Sequence, residues 1–446
     1  MLKYGTFIGC LFFLFVLFAN AQNGYFLKAG EDSETIHFKF INNLIIVPIE
    51  VNGVELSFIL DTGVNKPILF NTSGREDLQL FNNRKIELKG LGDGTPVEAI
   101  QSSGNTFRLK NLINTNQELY LLTDSNINFS PRLGIPVHGI IGYDLLKNFI
   151  VEVKYNRKRL KFHEPESYKY KNCNRCETYR LDIIGNKPFM NANVAFGERD
   201  SKPVYLLVDS GSTDAIWLFE DESRGIEVPE RHFDDYMGRG LNGDVYGKRS
   251  KLKSFTIGNF EMEDAKVAFP DSVSVRHITF KGGRNGSLGS EILKRFNLII
   301  DYPYERITLS KNGNFKEPFH YNMSGIELEQ NGLRVVTEST ATAIGTVFKE
   351  NSEDPSGGIT FSSSRLLSIA LKPALEIAEI RKDSPAMEVG LQKGDIVVSV
   401  NGKEAHNYNI QEVKEMLNQK PGKTLRLVVD RNGTQLKFSF KLRQVL

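Results

Sequence analysis

Ser57–Phe70 reads SFILDTGVNKPILF, and Tyr205–Phe219 reads YLLVDSGSTDAIWLF. In each, an apolar run ends on an aspartate that is followed at once by a small hydroxyl residue and a glycine. A carboxylate at the end of a buried strand is costly unless hydrogen bonds hold it. One such aspartate reads as a structural turn, but two, 148 positions apart, need a single explanation. The offset extends beyond the triplets: Gly92 falls on Gly240, Phe107 on Phe255 and Asn111 on Asn259. Further on, His138–Phe162 matches Gly286–Leu309 at an offset of 147, pairing Gly142 with Gly289, Leu146 with Leu293, Phe149 with Phe296, Tyr155 with Tyr302 and Arg159 with Arg306. The chain contains two copies of one unit.

Each copy reads as strands. Val47–Val51 and Leu56–Leu60 flank Asn52-Gly53, a strong two-residue hairpin signal. Ala192–Phe196 and Val204–Val208 repeat the pattern around a longer loop. Pro67–Phe70 and Ala215–Phe219 are apolar enough for buried strands. Glycine-rich tips follow, KGLGDGTPV and GRGLNGDVYG, and each copy closes on a short helical DLLKNF or EILKRF and an extended segment.

The triplets suit a symmetric site. Gly63 and Gly211 let the backbone approach each carboxylate and donate to it, and the hydroxyls of Thr62 and Ser210 are short enough to reach the opposite loop. Two such loops meeting at a pseudo-dyad place Asp61 and Asp209 side by side. Like charges that close share one proton and titrate as a unit. The ionised member then takes a proton from water while the protonated one polarises a carbonyl.

With these motifs the sequence resembles the pepsin-like and retropepsin-like aspartic proteases. The apolar-apolar-Asp-Thr/Ser-Gly pattern appears at Asp61-Thr62-Gly63 and Asp209-Ser210-Gly211, and the supporting apolar-apolar-Gly pattern at Ile140-Ile141-Gly142 and Ser287-Leu288-Gly289. The resemblance covers about two-thirds of the chain. It implies a mainly β architecture of two homologous lobes, Asp61 and Asp209 as the catalytic pair, and Thr62, Gly63, Ser210 and Gly211 as its supporting loops. Two departures stand out: Val64-Asn65 replaces the small hydroxyl residues found after the first triplet, and the expected flap at Gly90–Ile100 has no tyrosine. Asp93, Thr95 or a residue of the second lobe is left to take that place.

After Pro318 the repeat stops. SPAMEVGLQKGDIVVSVNGKEA at Ser384–Ala405 resembles a PDZ domain of the bacterial protease type, through Ser384-Pro385-Ala386, Gly390-Leu391, Gly394-Asp395-Ile396 and Val400-Asn401-Gly402. Asn409 and Glu412 predict a capped helix with Ile410, Val413, Met416 and Leu417 on one face, and Asn432-Gly433 a hairpin between Leu425–Val429 and Leu436–Phe440. The resemblance implies that Met323-Ser324-Gly325-Ile326 receives a peptide C-terminus, with Glu327–Glu329 as the adjoining strand. Asn331–Leu371 is a long intervening segment whose KENSEDPSGG reads as a loop.

Composition fits this organisation. The chain has 446 residues, 40% hydrophobic and 25% charged, with 56 basic and 54 acidic side chains, so nothing points to nucleic acid. The N-terminus combines Lys3, an apolar run from Phe7 to Phe18 and Ala19-Asn20-Ala21, which reads as a signal peptide and an extracytoplasmic (periplasmic or secreted) protein with no membrane span after cleavage. Cys173 and Cys176 read as a local clip in a linker. Seven scattered histidines form no metal motif, so no cofactor or metal is expected. The expected domains are 1–21 signal peptide, 22–165 first lobe, 166–317 second lobe and 318–446 PDZ domain. The reading is an endopeptidase acting on polypeptides, with a PDZ domain for peptide recruitment or gating. A secreted, non-catalytic peptide-binding protein on the same fold is the alternative. A glycosidase is a distant third, because its carboxyls stand roughly 5–9.5 Å apart around a sugar.

Overall fold

The computed structural model describes residues 24–70, 72, 74–75, 77–92, 94–124, 127–198, 200–276, 283–347 and 360–446. The expected signal peptide, Asp93 and the whole of KENSEDPSGG lie outside the described residues.

Strands Leu44–Val51 and Val54–Leu60 form the first hairpin, with Asn52 at φ 49° and Gly53 at φ 91°. Two positive φ angles give the turn a twist that matches its strands. Val54–Leu60 runs on to Asp61, and Gly139–Ile141 lies parallel beside it, Leu60 opposite Ile141. Ile68–Leu69 closes against the other edge of that supporting strand. The second unit repeats the arrangement: Gly286–Gly289 pairs in parallel with Ser201–Asp209 and antiparallel with Ile216–Leu218. Side chains mark the equivalence too. Ser57 N–H donates to His138 Nδ1 at 3.1 Å, as Tyr205 N–H donates to Asn285 Oδ1 at 2.9 Å. Gly142 ends its supporting strand because a Cβ there would stand 2.0 Å from the Asp61 carbonyl oxygen.

The two units own separate sheets of nine and ten strands, but their closing strands leave them. Ile150–Lys154 pairs antiparallel with Phe296–Asp301, at the centre of a six-stranded sheet shared by both units. Ile150 faces Asp301 and Lys154 faces Asn297, so the register is itself two-fold symmetric about Glu152 and Ile299. One buried apolar cluster runs through both units, from Tyr25 and Phe58 to Phe255 and Leu309. Burial of that area is the main force joining the lobes.

The C-terminal sheet has its own apolar cluster, including Ile326, Ile377, Val400, Val413 and Leu427. Helix Ile410–Leu417 carries the capping box of Asn409 and Glu412 and buries Ile410, Val413 and Leu417. The segment expected as a long connection is instead a hairpin of strands Ile326–Val347 and Thr360–Ile380, paired from Ile326/Ile380 to Val347/Thr360. Ladder hydrogen bonds satisfy its backbone where no core is available, and Leu333, Val335, Ile369 and Leu371 are exposed on it. Cys173 and Cys176 are joined by a disulfide in the segment between the lobes. Among the described residues no helix is long and apolar enough to cross a membrane.

Candidate active site

Asp61 and Asp209 end equivalent strands on opposite sides of the pseudo-dyad, and their loops interlock. Thr62 Oγ1 donates to the Val208 carbonyl at 2.6 Å and accepts from Ser210 N–H at 3.0 Å. Ser210 Oγ donates to the Leu60 carbonyl at 2.8 Å and accepts from Thr62 N–H at 3.0 Å. The two hydroxyls and the two N–H groups of this buried cross are satisfied within it. Gly63 N–H donates to Asp61 Oδ1 at 2.7 Å and Gly211 N–H to Asp209 Oδ1 at 3.1 Å. A Cβ on Gly211 would fall 2.2 Å from Asp61 Oδ2, so only glycine leaves room for the neighbouring carboxyl. The sequence-predicted residues of both triplets thus converge on one point.

The two carboxyls differ. Burial and the adjacent Asp209 push Asp61 up to about 8. Burial also raises Asp209, but Arg284 and Lys187 beside it favour its ionised form. Neither cation was singled out in the sequence. Their positions follow from the repeat. The turn Gly185-Asn186 sets Asn186 Nδ2 2.8 Å from Asn65 Oδ1, as Asn43 Nδ2 sits 2.9 Å from the Thr213 carbonyl in the other unit. Lys187 is therefore the counterpart of Leu44, and Arg284, two residues before the second supporting strand, the counterpart of Val137.

A further contact closes the site above. The flap hairpin of Arg84–Leu88 and Val97–Leu109 meets the second-lobe hairpin of Phe233–Gly240 and Gly243–Lys251 tip to tip. Asn242 N–H donates to the Leu91 carbonyl at 2.7 Å, Gly94 N–H to the Asn242 carbonyl at 2.6 Å, and Asn242 Nδ2 to the Thr95 carbonyl at 2.5 Å. Leu91 packs with Trp217, Met237, Val245 and Ala268 of the second lobe, while Leu241 packs with the Leu44–Val137 cluster of the first. The reciprocal exchange pairs Leu91 with Leu241, two positions away from the sequence alignment of Gly92 with Gly240. At these tips Asn242 of the second lobe meets the Thr95 carbonyl. Trp217 is core, its Nε1 donating to Asp214 Oδ2 at 2.7 Å.

The Met323–Ile326 loop sits at the start of the C-terminal sheet. Met323 and Ile326 are in its core, and the N–H groups of Ser324 and Gly325 donate to Asn322 Oδ1 at 3.0 and 3.1 Å. Ile326 N–H donates to Ser324 Oγ at 3.1 Å, so the N–H groups of this loop are engaged by internal acceptors. The edge strand and helix beside this loop lie against the lobes. Lys414 Nζ donates to the Arg132 carbonyl at 2.9 Å, Gln411 Nε2 to the Leu133 carbonyl at 3.3 Å, and Arg132 pairs with Glu329 at 3.4 Å. The Arg132 guanidinium also stands 4.4 Å over the Tyr236 ring of the second flap. Among the described residues no three of His, Cys, Asp and Glu converge as a metal site requires.

The aspartyl protease family model matches residues 47–145 and 192–292, and the PDZ domain model matches residues 376–431. Among solved structures the chain is similar to the aspartic proteinase from Irpex lacteus, with 14% identity, 64% of this chain and 99% of that one covered, and a TM-score of 0.42.

Proposed function

We propose that this chain, a two-lobed aspartyl protease fold followed by a PDZ domain, is an extracytoplasmic endopeptidase that hydrolyses polypeptides with a water held between Asp61 and Asp209. The observation that carries this reading is the pair of carboxyls, brought together at the pseudo-dyad and locked by the Thr62–Ser210 cross. Asp209, favoured as the anion by Arg284 and Lys187, takes the proton from water. Asp61, favoured as the acid, hydrogen-bonds the substrate carbonyl oxygen as hydroxide adds to its carbon. The tetrahedral intermediate then collapses, the amide nitrogen leaves with the proton held by Asp209, and one water is consumed for each peptide bond broken. No covalent enzyme intermediate forms.

The flap clasp supports gating, since a polypeptide enters only when Leu91 and Leu241 part. The PDZ domain is coupled to that event through Arg132, which joins Glu329 to Tyr236 at the base of the second flap. Hydrolysis of an unfolded protein by wild type, Asp61→Asn and Asp209→Asn across pH 3–8 tests the assignment. Cleavage is expected in the wild type alone, with both variants folded. Retained cleavage in either variant overturns the roles of the two aspartates, and a wild type that binds peptide without cleaving it leaves the peptide-binding reading instead.

A further inference from the structure

Lobe equivalence makes the walls of the cleft comparable residue by residue, and they differ in charge. Where the first lobe has Leu44 and Val137, both buried in one apolar cluster beneath Leu241, the second has Lys187 and Arg284. Three positions on, within the supporting strands, the change is in the same sense, Ile140 in the first lobe to Ser287 in the second. Arg284 is held in place: Nε donates to the Gly286 carbonyl at 2.9 Å, Nη2 to Ser287 Oγ at 2.5 Å, and the guanidinium lies 5.3 Å over the Phe219 ring. Lys187 is fixed at the strand start by the Asn186–Asn65 contact. Neither makes an ion pair with a carboxylate of the described residues; Lys187 feels Asp61, Asp209 and Arg284, and Arg284 feels Asp209.

The charges do not balance. A dyad sharing one proton carries one negative charge, and two cations beside it leave one in excess. Partly desolvated like charges near each other are unfavourable unless an anion joins them. We propose that Lys187 and Arg284 form a cationic subsite on the second-lobe side of the cleft, which takes the aspartate or glutamate side chain of a polypeptide substrate next to the scissile bond. The proposal rests on the endopeptidase reading and gives it a substrate class: segments with an acidic residue on one side of the cut.

Peptides with a reduced, uncleavable central amide, matched in pairs with Glu or Gln at each position flanking that bond, test the subsite by fluorescence anisotropy. The wild type is expected to bind the Glu peptide about tenfold tighter at one position. That preference falls to about threefold or less in the Lys187→Leu/Arg284→Val double variant, and Lys187→Arg retains it. Equal binding of Glu and Gln peptides at every position, or a preference unchanged in the double variant, overturns the subsite. Hydrolysis of the ordinary peptides in parallel separates the two readings. Cleavage without acidic preference overturns the subsite and keeps the endopeptidase. Acidic preference in binding without cleavage keeps the subsite and overturns the endopeptidase. No binding and no cleavage overturns both.

Discussion

Asp61 and Asp209 occupy the same place in two copies of one unit, yet Arg284 and Lys187 stand on one side of the pair only, and this asymmetry favours the ionised form of Asp209. Its linkage to stability has a definite sign. Asp61 is raised from 3.8 to about 8 in the folded state. Between those values the folded protein binds a proton that the unfolded chain has released, so this contribution to stability is present in acid and lost as pH rises. Asparagine at position 61 carries no such penalty. Asp61→Asn is therefore expected to raise the melting temperature relative to wild type more at pH 7 than at pH 4, and calorimetry at the two pH values checks it. Thr62→Val keeps shape but strips the Val208 carbonyl and the Ser210 N–H of their buried partners. A loss of about 3 kcal/mol is expected from urea unfolding. The triplets were legible in the sequence because each residue type has one physical use there. Lys187 was not, since a lysine two residues after a glycine signals nothing until the turn is superposed on its apolar counterpart.

At the level of elements, the flap clasp is built from two hairpin tips that share one asparagine. Asn242 serves the Leu91 carbonyl, Gly94 N–H, Thr95 carbonyl and Gly90 N–H, so the side chain and backbone of one residue hold four points of the opposite lobe. Asn242→Ala removes the two side-chain contacts. Amide exchange at Gly90 is expected to accelerate by about tenfold or more, with the strand Val54–Leu60 unchanged. Equal protection in both proteins rejects the clasp. Glycine-rich tips announced both hairpins in the sequence, but that they meet depends on where each lobe aims them. The C-terminal hairpin shows the opposite limit. Asn331–Leu371, most of which lies in that hairpin, reads as a long connection because sequence pattern reports burial, and exposed strands such as those carrying Leu333, Val335 and Ile369 bury little.

For the whole molecule the arrangement of cores predicts cooperativity. The lobes share one apolar cluster and a six-stranded sheet, whereas the PDZ domain has a cluster of its own. The boundary falls between Phe319, packed with the lobes, and Met323, packed with the PDZ domain. Calorimetry is expected to show two transitions. A chain ending at Asn322 keeps one of them, its midpoint moved by about 5 °C or less. A single transition that is lost on truncation contradicts independent cores. Lys414→Glu sets a carboxylate at the Arg132 carbonyl that Lys414 now donates to. Detachment of the PDZ domain is then expected, with a larger radius in small-angle scattering.

Sequence alone determined the repeat, the two carboxyls with their hydroxyl and glycine neighbours, the hairpin turns and the capped helix. Each depends on residues close in the chain or on identity at a fixed offset, and local backbone chemistry suffices to read it. Only the tertiary structure decided that the closing strands pair across the lobes, that Asn242 joins the flaps, that the PDZ helix rests on Arg132 and Leu133, and that Lys187 and Arg284 flank the dyad. Those contacts join residues far apart in the chain, and apolar burial between lobes, which is non-directional, leaves no motif behind.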